Sequence, residues 1–251
     1  MAPSNSGVAV IFGVGSNIGT ALAKGFTDAG YRVATVSRSS APSADSSSNP
    51  LHIQADLSDP AAVPAVFEKV KSAGLEFPSV VIWNVAALTP PPDPENPLSL
   101  ADSDLDRDLN IMIKSPYVAA REAVKVWQSR ESKDGRKGTF IMTGNQLPKK
   151  IAPVAFYTSL GIGKSGANHW VGTADNVLKK KGIRYVLFLF LFHHPGFLDP
   201  SSHDVQDSTL DVEMPFPSGR GVAFDRQLGR RILGCSRRFD WHNALVSPST
   251  C

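Results

Sequence analysis

The chain has 251 residues, of which 42% are hydrophobic and 20% charged, with a formal net charge of +3. That apolar content excludes a disordered chain and suffices for one sizeable α/β domain with a buried core. So mild a positive balance gives no reason to expect a nucleic-acid or anionic-membrane partner.

Two cysteines, Cys235 and Cys251, supply neither a disulfide framework nor a zinc spacing, so a reducing, cytoplasmic compartment is expected. Residues 1–6 lack a basic start followed by an apolar run, and no secretory leader is expected. The longest apolar run, residues 185–192 (YVLFLFLF), is far short of a spanning helix and reads as a buried strand.

In chain order, residues 8–12 (VAVIF) are a β-branched run ending at glycine, which predicts the first strand. A helix follows with Ile18, Leu22 and Phe26 on one face and closes at Gly30. Strands are expected over 32–36 and 51–55. Pro60 opens a second helix through Val63, Val66, Phe67 and Val70 that ends near Gly74. Residues 80–83 read as a fourth strand and 105–130 as one long helix. A fifth strand over 140–143, a helix over 159–181 and a sixth strand from Ile183 complete the alternation. The fold expected is a doubly wound, Rossmann-type parallel sheet with helices on both faces. Residues 39–49 form a polar connection, and 90–97 (PPPDPENP) a stiff proline-rich loop.

Between the first strand and first helix stands Gly13-Val14-Gly15-Ser16-Asn17-Ile18-Gly19. Glycines there permit a tight turn, and free N–H groups at a helix start bind a pyrophosphate. The GxGxxG form fails at Ile18. The GxxxGxG form fits at Gly13 and Gly19, with Asn17 in the middle slot, a residue that tolerates a left-handed backbone.

With that turn the chain resembles the short-chain dehydrogenase/reductase superfamily, and further residues match in order over about 7–186. Asp56-Leu57 falls where the family places an acid and an apolar residue beside the adenine. Trp83-Asn84-Val85-Ala86-Ala87 is similar to the family's Asn-Asn-Ala-Gly, implying that Asn84 and Ala86 lie on the ribose–nicotinamide side. Asn110 sits where a helix asparagine organises a proton-relay water, although a plain helix-surface role competes. Residues 138–145 (GTFIMTGN) match the strand that ends at the catalytic serine.

The expected cofactor is NADP. The second strand ends Ser37-Arg38 with no acid, and an arginine there accepts a 2′-phosphate where an acid would bind the ribose of NAD. Ser37 adds a hydrogen bond.

The resemblance also implies a tyrosine acid/base, a lysine one turn later that lowers its pKa and grips the ribose, and a serine for the substrate oxygen. Two registers compete. With Tyr157 as the tyrosine, Gly161 replaces the lysine; with Lys164 as the lysine, Leu160 replaces the tyrosine. The eighteen residues from Lys164 to Gly182 of Lys-Gly-Ile-Arg match the family interval and favour Lys164. Tyr157 then lies ~10 Å too early, unless Gly161 and Gly163 bend the helix start. Asn145 occupies the serine slot, with Thr143 as a second donor. This pattern resembles a divergent fungal subgroup without the usual tyrosine, which implies a small-molecule, secondary-metabolic carbonyl or alcohol substrate. A homodimer or homotetramer through the long helices is implied as well. A nucleotide-binding pseudoenzyme and a redox-neutral isomerase or cyclase remain the alternatives.

No lysine follows Lys181, and neither hydrophobic period persists beyond His193. Residues 1–192 are read as the NADP-binding domain and 193–251 as an atypical C-terminal region. His193, His194, Asp199 and His203 are irregularly spaced and read as surface residues, so no metal is expected.

Overall fold

The computed structural model describes residues 7–39, 50–132 and 135–189. The separate region expected over 193–251 lies outside them, as do its histidines and most of the polar connection.

Among the described residues β-branched and aromatic runs form six strands: β1 (Val8–Phe12), β2 (Arg32–Ser37), β3 (Leu51–Gln54), β4 (Val80–Trp83), β5 (Gly138–Gly144) and β6 (Ile183–Leu189). All pair in parallel, in the order β3-β2-β1-β4-β5-β6. Phe12 is opposite both Val36 and Trp83, and Trp83 is opposite Met142, so the C-terminal ends of four strands lie in one row. Strand order reverses between β1 and β4, which opens a crevice at those ends. The expected Rossmann-type sheet is present.

Helices α1 (Ile18–Asp28), α2 (Ala62–Ser72), α3 (Asp102–Leu109), α4 (Ser115–Ser129) and α5 (Thr158–Leu178) connect the strands. Right-handed crossovers place α1 on one face of the sheet, because β1→β2 runs opposite to β3→β4→β5→β6. On the other face α2, α4 and α5 bury Val63, Val66, Ala119, Trp127, Ala167 and Val171 against Val10, Phe12, Val36, Trp83, Phe140 and Met142. Asp175 ties α5 to β6, accepting from Arg184 Nε at 2.8 Å and from the Tyr185 amide at 3.0 Å. Among the described residues no helix is long and apolar enough to cross a membrane.

Two expectations about helices are corrected. The helix foreseen over 105–130 is α3 and α4 joined by a π turn, Asn110–Lys114, in which the Ser115 amide reaches back to the Asn110 carbonyl. Pro116 has no N–H to give Met112, so the ordinary i→i−4 ladder cannot continue there. Nor do Gly161 and Gly163 bend the start of α5, which runs unbroken from Thr158. The irregularity, a 3₁₀ turn over Ala155–Tyr157, lies ahead of both glycines. Gly163 instead lets α5 approach the π turn, since a Cβ there would sit 2.5 Å from Met112 Cε.

Candidate functional site

At the end of β1 the chain turns sharply. Gly13 takes φ +89°, and a Cβ on it would sit 2.7 Å from Val85 Cγ2. On Gly19 a Cβ would come within 2.5 Å of Val14 Cα. Both glycines are therefore fixed by contact between the turn, β4 and the start of α1. The Gly13 amide donates to Val36 O at 2.8 Å, which closes the turn onto β2.

Above it Gly15, Ser16 and Asn17 are exposed, Ile18 is half-buried and Gly19 is buried. Among the described residues Asn17 makes no side-chain capping bond, and the start of α1 carries the positive end of the helix dipole. The Asn17 backbone is at φ −103°, so the tolerance of asparagine for a left-handed backbone is not drawn on here. An open turn with uncapped amides at the strand-order switch has the shape and charge that a pyrophosphate requires.

At the end of β2, Arg38 is exposed and its carbonyl accepts from Gln54 Nε2 at 2.9 Å. Ser37 Oγ donates to Ser39 O at 2.9 Å. His52, which sequence reasoning did not single out, organises this corner: Nε2 lies 2.9 Å from Ser39 O, and Nδ1 lies 3.1 Å from Thr35 Oγ1. A carbonyl beside Nε2 means that this nitrogen bears the proton. Asp56 is exposed after β3. The amide and hydroxyl of Ser58, then the charge of Arg38, hold its carboxyl below the usual range. Leu57 is 4% exposed and belongs to the core, with its carbonyl accepting from Ser115 Oγ at 2.8 Å.

Beyond β4, Asn84 is half-buried and its Nδ2 donates to Gly13 O at 2.9 Å, while Ala86 is exposed. Asn110 is half-buried at the first position of the π turn. Asn145, just past β5, commits Oδ1 to the Leu147 amide at 3.0 Å, which leaves its Nδ2 as a donor. Thr143 donates to Trp83 O at 3.4 Å.

Lys164 is 5% exposed, and its Nζ donates to Thr143 O at 2.8 Å. Burial pushes this amine down to about 8. Leu160 lies one turn earlier on the same helix face and is half-buried. Tyr157 sits before α5 on the 3₁₀ turn, its ring edge-on to Phe156 at 5.2 Å. Thus Lys164 meets the end of β5 beside Asn145, whereas Tyr157 belongs to the preceding turn.

A further buried cluster was not legible in the sequence. Asp108, 1% exposed, accepts from the Thr89 amide at 2.9 Å and from Thr89 Oγ1 at 3.0 Å, and Arg107 lies 3.5 Å away. The buried Ser159 hydroxyl is 3.4 Å from the same Thr89 amide. These contacts pin the loop after β4 to α3 and α5. Four aspartates alternate over 102–108, and nothing in that spacing marks the one that points inward.

A doubly wound sheet with a glycine turn at its switch point defines a Rossmann-type nucleotide-binding fold. The family model for short chain dehydrogenases matches residues 7–196, and the chain belongs to that family of oxidoreductases. A curated relative, the short chain dehydrogenase/reductase dmxR12 of Cryptosporiopsis sp. (strain 8999), is 32% identical over 191 residues, covering 72% of this chain and 75% of its own. Two solved structures share the fold. The NADH-dependent reductase A1-R′ complexed with NAD has a TM-score of 0.64 at 17% identity, covering 75% of this chain and 79% of its own. A short chain dehydrogenase from Burkholderia cenocepacia J2315 in complex with NADP has a TM-score of 0.59 at 22% identity, covering 73% of each.

Proposed function

We propose that this chain is a cytoplasmic, NADP(H)-dependent oxidoreductase acting on a carbonyl or alcohol of a small molecule. The observation that carries the proposal is the uncapped start of α1 beneath the exposed turn Gly15-Ser16-Asn17. In this reading Gly13, Ser16, Asn17, Ile18 and Gly19 hold the pyrophosphate, with Asp56 and Leu57 on the adenine side. Asn84, Ala86 and Lys164 hold the ribose–nicotinamide end, and the dinucleotide supplies or takes up hydride. Asn145 faces the substrate oxygen, Thr143, whose hydroxyl donates to Trp83 O, is a second candidate donor, and Asn110 holds a relay water.

Fold neighbours were solved with NAD and with NADP, so the choice between them rests on Arg38 and Ser37. An exposed guanidinium with no acid at the end of β2 favours the 2′-phosphate. A secondary-metabolic substrate is supported by the fungal relative and subgroup resemblance. Assembly through α4 and α5 is supported by Tyr117 and Val177, which are 53% and 62% exposed there.

Titrating the protein with NADPH and NADH, read by nicotinamide fluorescence, tests this. The parent should favour NADPH, and Arg38→Ala should weaken NADPH by about tenfold or more with little change for NADH, the loss of one charge-assisted contact. Binding of neither dinucleotide overturns the proposal; equal losses for both overturn the Arg38 assignment. Leu160 in the tyrosine's place favours a second reading, a nucleotide-binding pseudoenzyme, which binding without turnover on a carbonyl panel would establish. Product formed without nicotinamide oxidation would instead establish an isomerase or cyclase.

A further inference from the structure

We propose that Lys164 itself gives and takes the substrate proton at this site, occupying the chemical role that the family assigns to a tyrosine. The inference rests on the nucleotide-binding reading above and adds to it an acid/base group.

Leu160, one turn before Lys164 on the same face, is hydrocarbon and exchanges no proton. Tyr157 lies seven residues earlier, a rise of ~10 Å, and on a different turn. Ser159 is fully buried beside Thr89. Thr143 donates to Trp83 O, and the Asn145 amide does not ionise. Of these side chains at the meeting of β5 and α5, Lys164 is what remains.

Thr143 O holds one Nζ–H at 2.8 Å and fixes the amine at the end of β5, where the Asn145 side chain also begins. That single bond survives loss of a proton, so the neutral amine keeps its position and has a lone pair to accept with. A Cβ placed on Gly161, three residues before Lys164, would meet nothing within 4 Å, so the helix is open at that point. Burial brings the amine's pKa to about 8, where both forms are present near neutrality. Ionisable groups on the elements packed against α5 include Asp102, Asp104, Asp106, Arg107 and Asp108 of α3, Lys114 of the π turn, Tyr157 of the turn before the helix, Lys179, Lys180 and Lys181 of the turn after it, and Arg184 and Tyr185 of β6, with Tyr117 of α4 against Trp170. Nζ bonds Thr143 O, and burial is the cause of the shift.

The step balances. As hydride from a dihydronicotinamide dinucleotide adds to the carbonyl carbon, the C=O pair moves onto oxygen. The Nζ–H bond breaks toward that oxygen, giving the alcohol, and the neutral amine recovers a proton from water. The dinucleotide is oxidised and the carbonyl reduced. Asn145 Nδ2 donates to the same oxygen without transferring a proton.

Three measurements test this. In ligand-free protein labelled with ¹³Cε-lysine, the signal lost in Lys164→Arg should titrate near pH 8; a midpoint above about 10, the ordinary lysine value, overturns the inference. Arginine retains its proton, so at saturating NADPH single-turnover hydride transfer by Lys164→Arg should fall by about 10²-fold or more. Transfer within threefold of the parent's (roughly 0.7 kcal/mol of barrier) overturns it. Should that variant not fold, the parent decides: its reduction rate should be flat below pH 8 and decline above it, and a flat profile to pH 10 overturns the inference. NADPH binding with no transfer to any carbonyl overturns the acid/base role and leaves the binding reading intact. No binding by the parent overturns the binding reading itself.

Discussion

Asn84 Nδ2 and Gly13 O are 2.9 Å apart, a bond between residues 71 positions apart that ties the end of β4 to the glycine turn. Gly13 adds its close approach to Val85, so turn and strand end form one unit. Asn84→Ala leaves a half-buried carbonyl without this donor and should cost about 1 kcal/mol of stability. NADPH affinity should fall several-fold as the turn loosens. Urea denaturation and fluorescence titration check both; parental values in each would show that the tie holds nothing in place.

Much of this was legible along the chain. β1 and β4 begin and end where their β-branched runs do, and positive-φ glycines close α1 and α2 at Gly30 and Gly74 as foreseen. Gly182, eighteen residues after Lys164, ends the 3₁₀ turn with a φ of 75°, so the glycine before β6 was legible as a stop. The π turn was not read, although Pro116 announces it: a helical hydrophobic period hides a single missing N–H. Asp108 was out of reach for another reason, because inward and outward aspartates alternate identically until the helix is packed.

The glycines of α5 differ in what surrounds them. A Cβ on Gly163 would meet Met112 Cε, Sδ and Cβ at 2.5, 2.7 and 2.8 Å, whereas one on Gly161 would meet nothing within 4 Å. Gly163→Ala should push α5 off the π turn and cost about 1–3 kcal/mol, the usual range for overpacking. Gly161→Ala should gain about 0.5–1 kcal/mol, from the freedom that glycine forfeits in a helix. Thermal melts of the two variants should move in opposite directions; shifts of the same sign would contradict this packing.

Asp108 accepts two bonds from Thr89, one on each carboxylate oxygen, while 1% exposed. In Asp108→Asn one of those oxygens becomes an NH₂ facing a donor, and the Arg107 guanidinium loses its buried counter-charge. A loss of about 2–3 kcal/mol is expected, since breaking one partner leaves the others unsatisfied. The loop after Thr89 should become more susceptible to limited proteolysis. A variant as stable as the parent, with the same cleavage pattern, would show that the carboxylate is not what pins the loop.

Lys164 also leaves a mark on stability that needs no ligand. Its folded-state pKa, about 8, lies below the ordinary 10.5, so the fold disfavours the charged amine. Below pH 8 the amine is protonated folded and unfolded, and the full penalty stands, on the order of 3 kcal/mol for such a shift. Between about pH 8 and 10.5 the unfolded chain holds the proton and the folded chain does not, so parental stability rises with pH across that window. Lys164→Met removes the titration while filling much of the same space. It also forfeits the bond to Thr143 O, an offset of about 1 kcal/mol that does not vary with pH. The variant's stability relative to the parent should therefore be highest at pH 7 and fall by about 2–3 kcal/mol by pH 10.5. Urea denaturation of both proteins at pH 7, 9 and 10.5 measures it; a constant difference across the three would mean that the buried amine is not strained by its charge.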